Sequence, residues 1–331
     1  MTLPLVSVNV ITYNHAPFID RALEGILAQK TSFPFEVVVG EDFSTDGTRE
    51  KVLRWQREHP EVIRVVEADR NVGMKANHLR TIKASSGKYI AFCEGDDYWQ
   101  DPQKLAIQVS HLEANADVGF VFSDYDVLHV KGNTLIQGFL KHKGVVVPEH
   151  PGIADIVRGE HGVLTCTVMI RAALCKEVVD GDHHLHHDPR FLMCDTQLWA
   201  EASALMKPAY IPRSLATHTI TEESATRSSD VRKRLRFSIS NSEMFLYLCN
   251  KYSLGEDLKF RFREAMLNSQ LRYAYHTQDA ALARSALAAK ARRSASDYLL
   301  AFGAERRWFY VACRSVVRLT NVFRKENALW H

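Results

Sequence analysis

Several features that mark familiar protein classes are missing from this 331-residue sequence. Its six cysteines, Cys93, Cys166, Cys175, Cys194, Cys249 and Cys313, form no CxxC pair. Neither a disulfide framework nor a cysteine zinc site is therefore expected, and the thiols read as reduced and mostly buried. No GxGxxG follows the first apolar run and no GxxxxGK[ST] occurs anywhere, which argues against a dinucleotide-binding dehydrogenase and a P-loop enzyme. No proline-rich linker, low-complexity tract or internal repeat interrupts the chain. The first residues, MTLPLVSVNVITYNH, hold no basic leader, and their apolar run breaks at Thr12 and Asn14. Neither a signal peptide nor a transmembrane helix is expected there, and the reading is a cytoplasmic protein.

What is present is ordinary in bulk and uneven in charge. With 46% hydrophobic and 24% charged residues the chain is globular and can bury a sizeable core in one or two domains. Residues 226–331 carry 20 Lys/Arg against 9 Asp/Glu, net +11, whereas residues 1–225 carry 22 against 30, net −8. The basic part suits phosphates, nucleic acid or an anionic membrane surface, and a solvated helical face fits the same numbers.

Along the first hundred residues strand and helix patterns alternate. Leu5 to Thr12, Phe35 to Gly40, Val62 to Glu67 and Lys88 to Cys93 are β-rich apolar runs, each followed by apolar residues at helical spacing. The helices are expected over Phe18 to Ala28, from Thr45-Asp46-Gly47-Thr48 through Arg57, over Met74 to Ala84, and from Pro102 to about Asn115. Four such units predict an α/β fold, a mainly parallel, doubly wound sheet with helices on both faces. Beyond it, Val118 to Ser123, Val145 to Val147 and Thr165 to Ile170 read as strands and Asp195 to Leu205 as a helix. From about Thr226 the pattern is helical, including Asp279 to Arg293. The domains expected are 1–225, divided into halves 1–123 and 124–225, and a basic all-α region 226–331.

In a parallel sheet, ligands bind beyond the carboxyl ends of the strands. Here those ends are Thr12-Tyr13-Asn14, Glu41-Asp42, Asp69-Arg70-Asn71 and Glu94-Gly95-Asp96-Asp97. Thr12-Tyr13-Asn14 offers an aromatic face for a base and two side chains able to hydrogen-bond it. The stretch AFCEGDDYWQDP crowds Glu94, Asp96 and Asp97 at one strand end, where like charges raise one another's pKa unless a cation intervenes. On spacing alone two readings fit: a site for Mg²⁺ or Mn²⁺ with substrate phosphates, or a capped turn before the Pro102 helix with Trp99 as a core anchor.

The order of the segments VNVITYN, GEDFSTDGT, NVG and EGDDYW at successive strand ends resembles the nucleotide-sugar-binding half of glycosyltransferase family 2, inverting enzymes of the GT-A fold. The resemblance covers roughly residues 4–220. It implies that Tyr13, with Thr12 and Asn14, lies near the nucleobase, and that Asp42 and the adjacent Glu41 bind base or ribose. It assigns Asp96 to the ribose side and Asp97 to a metal ion, Mn²⁺ or Mg²⁺, with Glu94 standing where the family's DxD motif begins. Cys194-Asp195-Thr196-Gln197-Leu198-Trp199 resembles the segment that opens an acceptor-side helix, making Asp195 the catalytic base. His218 matches a position that supplies a His to the metal or diphosphate. Lys75 and Arg227 stand where they can contact the diphosphate. The implied activity is metal-dependent transfer of a sugar from a nucleoside diphosphate donor, UDP first, to a hydroxyl of a glycan or lipid-linked acceptor in bacterial surface polysaccharide assembly.

Two other classes compete. A sugar nucleotidyltransferase shares the sheet and the carboxylates but carries a glycine- and Arg/Lys-rich phosphate loop where this chain has TYNHAPF. A non-catalytic nucleotide-binding scaffold with a basic nucleic-acid or membrane module is the other, although nucleic acid is the less expected partner. His183-His184-Leu185-His186-His187-Asp188 reads as a polar acceptor-side loop rather than a zinc site. Arg306-Arg307-Trp308-Phe309-Tyr310 with Arg314, Arg318, Arg324 and Lys325 fits an interfacial helix on the inner membrane face, or a bundle with basic outer faces.

Overall fold

The structure is a computed structural model, and residues 3–221 and 229–312 are described. The chain divides into two compact units, Met1–Glu222 and Glu223–His331.

In the first unit, strands and helices alternate as β1 (Val6–Thr12), α1 (Ile19–Leu27), β2 (Phe35–Glu41), α2 (Thr48–Glu58), β3 (Ile63–Glu67), α3 (Met74–Ala84), β4 (Tyr89–Glu94) and α4 (Lys104–Ala114). Then come β5 (Val118–His129), β6 (Thr134–Ile136), α5 (Phe139–His142), α6 (Ile153–Arg158), β7 (Met169–Arg171), α7 (Ala172–Gly181), α8 (His183–His187), α9 (Thr196–Leu205) and β8 (Lys207–Ile220). The eight strands form one sheet ordered β3-β2-β1-β4-β7-β5-β6, with β8 also paired to β5. Pairing is parallel from β3 to β4 and between β5 and β8, and antiparallel where β7 joins β4 to β5 and where β6 meets β5. This is the α/β sheet that the alternating pattern implied.

The β-branched runs explain the central strands. Val6, Val8 and Val10 of β1 and Val37 and Val39 of β2 are fully buried in one core with Tyr89, Ala91, Cys93 and Trp99. Register then decides what reaches the ligand edge: Thr12 sits beside Glu41, and Ile11 beside Glu94, so polar residues end three neighbouring strands at one level.

Three expectations change in the second half of the sheet. Residues 145–147 form no strand; Val145 and Val147 instead pack on Tyr125, Val127 and Leu140, so burial rather than pairing uses their β-branched side chains. Thr165 to Ile170 splits into a 3₁₀ turn at Thr165–Thr167 and the short β7. The long β8, interrupted by Pro208 and Pro212, carried no strand signal.

The second unit is helical, with α10 (Val231–Lys251), α11 (Glu256–Thr277), α12 (Ala280–Ala289) and α13 (Ala295–Glu305). Its small core joins Leu267, Leu271 and Ala274 of α11 to Ala283 and Ala286 of α12 and Ala301 and Ala304 of α13. Phe245 stacks on Phe262 at 4.5 Å to hold α10 against α11. The helical run expected from Asp279 to Arg293 stops at Ala289, and Ser294 opens α13 with a capping box to Asp297. No helix among the described residues is long and apolar enough to cross a membrane. Arg227 lies outside the described residues, as do Arg314, Arg318, Arg324 and Lys325.

Candidate active site

The loops after β1 and β2 are built against each other. Backbone N–H groups of Asn14, His15 and Ala16 donate to Ser44 Oγ, Thr48 Oγ1 and Asp46 Oδ2 at 3.0, 2.8 and 3.0 Å, and Asn14 Oδ1 accepts from the Thr45 amide at 2.9 Å. Asn14 takes a left-handed φ of 55°, which asparagine tolerates better than most residues. These amides are thereby occupied by the STDGT segment.

Glu41 and Asp42 are 0% and 1% exposed, and their carboxylates brace loops. Glu41 accepts from the Ser44 amide at 2.7 Å and the Phe43 amide at 3.2 Å. Asp42 accepts from the Val72 and Gly73 amides at 2.8 and 2.9 Å, tying the loop after β3 to β2. Both acids are buried at the strand ends, and Tyr13 and Phe43 are the exposed aromatic residues on the same loops. Phe43, with φ 62° and Arg49 at 5.8 Å from its ring, was not singled out in the sequence.

The acidic cluster lies at the end of β4. Asp97 is 4% exposed and accepts from the Thr219 amide at 2.7 Å, while His218 Nδ1 stands 3.1 Å from its Oδ1. The reason is topological: Tyr98 and Thr217 exchange both backbone hydrogen bonds, pinning the turn after β4 to β8. The structure thus joins Asp97 and His218, 121 positions apart in sequence. Asp96 lies 3.9 Å from His15 Nε2, a neighbour sequence reading missed. Asp96 and Asp97 also line a cleft of about 210 Å³ with Phe18, Arg21, Tyr98 and Thr219. Gly95 is required by close approach: a Cβ there would lie 2.6 Å from Thr12 Oγ1 and 2.9 Å from His15 Nδ1.

The electrostatics match the crowding. Loss of water, then the Asp97, Asp96 and Asp195 charges, push the Glu94 carboxyl well above its usual range. Desolvation and Asp97 likewise raise Asp96, with His15 and His218 opposing. Glu94 Oε2 is buried with no hydrogen-bond partner. Oxygens of Glu94 and Asp97 and the Cys166 Sγ all lie within 4.8 Å of one another; nothing in the sequence pointed to Cys166. An orphaned carboxylate oxygen close to Asp97, which itself meets the His218 imidazole, makes a donor set that fits a divalent cation. Trp99 packs as expected, 3% exposed, its indole N–H donating to the Cys166 carbonyl at 3.0 Å.

Asp195 caps α9: its Oδ1 accepts from the Thr196 amide and its Oδ2 from the Thr165 hydroxyl at 2.8 Å. Its charge reaches Glu94 and also the buried His78, whose imidazole desolvation pushes down to about 4. The histidine run folds as the five-residue α8 and disperses: His186 turns inward to Glu201 at 2.8 Å, while His183 stacks on His187. Lys75 is engaged within the protein. Its ammonium donates to the carbonyls of Leu185, Asp188 and Phe191 at 3.1, 2.9 and 3.1 Å.

Comparison with known proteins agrees with this layout. Residues 7–161 match the model of glycosyl transferase family 2. A putative teichuronic acid biosynthesis glycosyltransferase of Bacillus subtilis is 32% identical over 133 residues, 40% of this chain and 51% of the relative. The matched stretch spans about half or less of the curated relatives' own length. Among solved structures, residues 1–349 of Staphylococcus aureus TarS, in complex with UDP-GlcNAc, align over 93% of this chain and 88% of that one, with a TM-score of 0.55 and 17% identity. A mannosyltransferase of Pyrobaculum calidifontis in complex with GDP-Man and Mn²⁺ aligns over 96% and 88%, with a TM-score of 0.56 and 20% identity. Strand order and family match converge: residues 7–161 carry the glycosyltransferase family 2 match, within a first unit that has the GT-A fold.

Proposed function

We propose that the first unit catalyses inverting transfer of a sugar from a nucleoside diphosphate donor to an acceptor hydroxyl. The observation that carries this reading is the convergence of Glu94, Asp96, Asp97 and His218 at one strand edge, with Asp195 on a separate element within electrostatic reach of Glu94. Asp97, with Glu94 and His218, would hold a divalent cation, which would supply charge neutralisation for the departing diphosphate. The exposed rings of Tyr13 and Phe43 offer stacking surfaces for the nucleobase, and Asp96 lies toward the ribose. Asp195, oriented by Thr165 and the Thr196 amide, accepts the proton of the acceptor hydroxyl as its oxygen attacks the anomeric carbon. The new C–O bond forms on the face opposite the breaking bond to the diphosphate, so configuration inverts.

UDP is the first donor base to test, because TarS holds UDP-GlcNAc; the mannosyltransferase holds GDP-Man, which makes GDP the second. A glycan or lipid-linked acceptor in surface polysaccharide assembly is proposed by likeness to the Bacillus subtilis relative, named for teichuronic acid biosynthesis, and to an Escherichia coli glucosyltransferase named for a diphosphoundecaprenol-linked acceptor. Anionic-membrane contact by the second unit is proposed from its excess of Lys/Arg, with sedimentation on anionic liposomes at low salt as its test. For the enzyme, calorimetry should find UDP binding that requires Mn²⁺ or Mg²⁺ in the native protein and is lost in Asp97→Ala. Metal-independent nucleotide binding, or binding of neither UDP nor GDP, would sink the reading.

A further inference from the structure

We propose that Lys75 is a positioning residue that straps the acceptor-side segment 183–195 to the first turn of α3 and thereby holds Asp195 in place. The segment has little order of its own, since a five-residue helix such as α8 is marginal without tertiary support. Lys75 Nζ reaches three of its carbonyls, those of Leu185, Asp188 and Phe191, and the last lies four residues before Asp195. From within, His186 adds its contact to Glu201 of α9, both nearly fully buried. Just before that turn, Asp42 grips the Val72 and Gly73 amides. The start of α3 is therefore tied on one side to the loop after β2 and, through Lys75, to the segment that leads to Asp195. Burial lowers the Lys75 pKa, as expected of an ammonium withdrawn from water to serve carbonyl oxygens.

The proposal rests on Asp195 being the base, and its test separates the two claims. In full-length Lys75→Met, hydrogen–deuterium exchange should speed up across 185–195 and stay unchanged in β1, β2 and β4. UDP affinity with Mn²⁺ should remain within about twofold, as for independent sites. UDP release from the donor should fall about tenfold to a hundredfold, the cost of a misplaced catalytic group. Lys75→Arg, which keeps donors for the carbonyls, should recover part of both the protection and the rate. Should Lys75→Met fail to fold, Lys75→Gln and His186→Gln loosen the same segment and should give the same split. Unchanged exchange overturns the proposal, and so does weakened UDP binding with exchange intact, which would make Lys75 a diphosphate contact. Exchange reports on the strap whatever the base is. An error in the base assignment alone shows instead as full activity of Asp195→Asn while Lys75→Met still loosens 185–195.

Discussion

The donor edge and the acceptor side of the first unit are held together in different ways. At the donor edge, the loops after β1, β2 and β3 are stitched by short bonds between neighbours, with Asn14, Glu41, Asp42 and Asp46 each serving backbone amides. On the acceptor side, Asp195 stands at the end of a long irregular stretch fastened at a few distant points: Lys75, the His186–Glu201 pair and Thr165. The donor edge is redundant, so one lost bond leaves others. The named acceptor-side fastenings each join residues far apart in sequence, so losing one should show in the rate.

The largest effect expected is on the proposed base. Asp195→Asn should lower transfer by about 10²–10⁴-fold while UDP affinity is retained, because general-base removal leaves the donor edge intact. Asp97→Ala should cost about 10²–10³-fold and, unlike Asp195→Asn, abolish metal-dependent UDP binding measured by calorimetry. If both variants lose UDP binding equally, the two sides are not separable.

Next comes pH. His78 is buried and neutral, with its pKa depressed to about 4, so the unfolded chain takes up a proton near 6.5 that the folded chain refuses. Its contribution is therefore full above pH 6.5 and is lost as pH falls toward 4, by at most about 3 kcal/mol. Chemical denaturation across that range should show stability falling with acid, and His78→Gln should flatten the slope. The smallest effect sharpens the contrast most. Thr165→Val removes one hydrogen bond to Asp195, worth about 0.5–1.5 kcal/mol, and should slow turnover severalfold. Asn14→Ala also removes a bond to the Thr45 amide but should leave turnover within about twofold if redundancy holds.

The same contrast governs what the sequence disclosed. The donor half is made of short-range units, and Met74 to Ala84 came out with its observed limits because periodicity, a preceding glycine and a following serine pair agree. The acidic residues at the strand ends were legible because parallel strands deliver their carboxyl ends to one edge. The partnership of His218 with Asp97 depends on the register of β8, whose prolines conceal it as a strand. Lys75 shows a different limit: carbonyl and phosphate oxygens both attract an ammonium, so a lysine in a helix's first turn does not reveal which it will meet. Cys166 and His15 gave no signal, since each enters the site only through a chain turn that brings it there.

Gly95 has a consequence for anyone building a saturation library across residues 94–97. It touches no substrate in the proposed chemistry, yet the space a side chain would need is already filled by Thr12 and His15. Its column in such a library should accept a single letter, as strictly as the acids beside it. A screen that ranks positions by intolerance alone would therefore score a spacer as though it were part of the reaction.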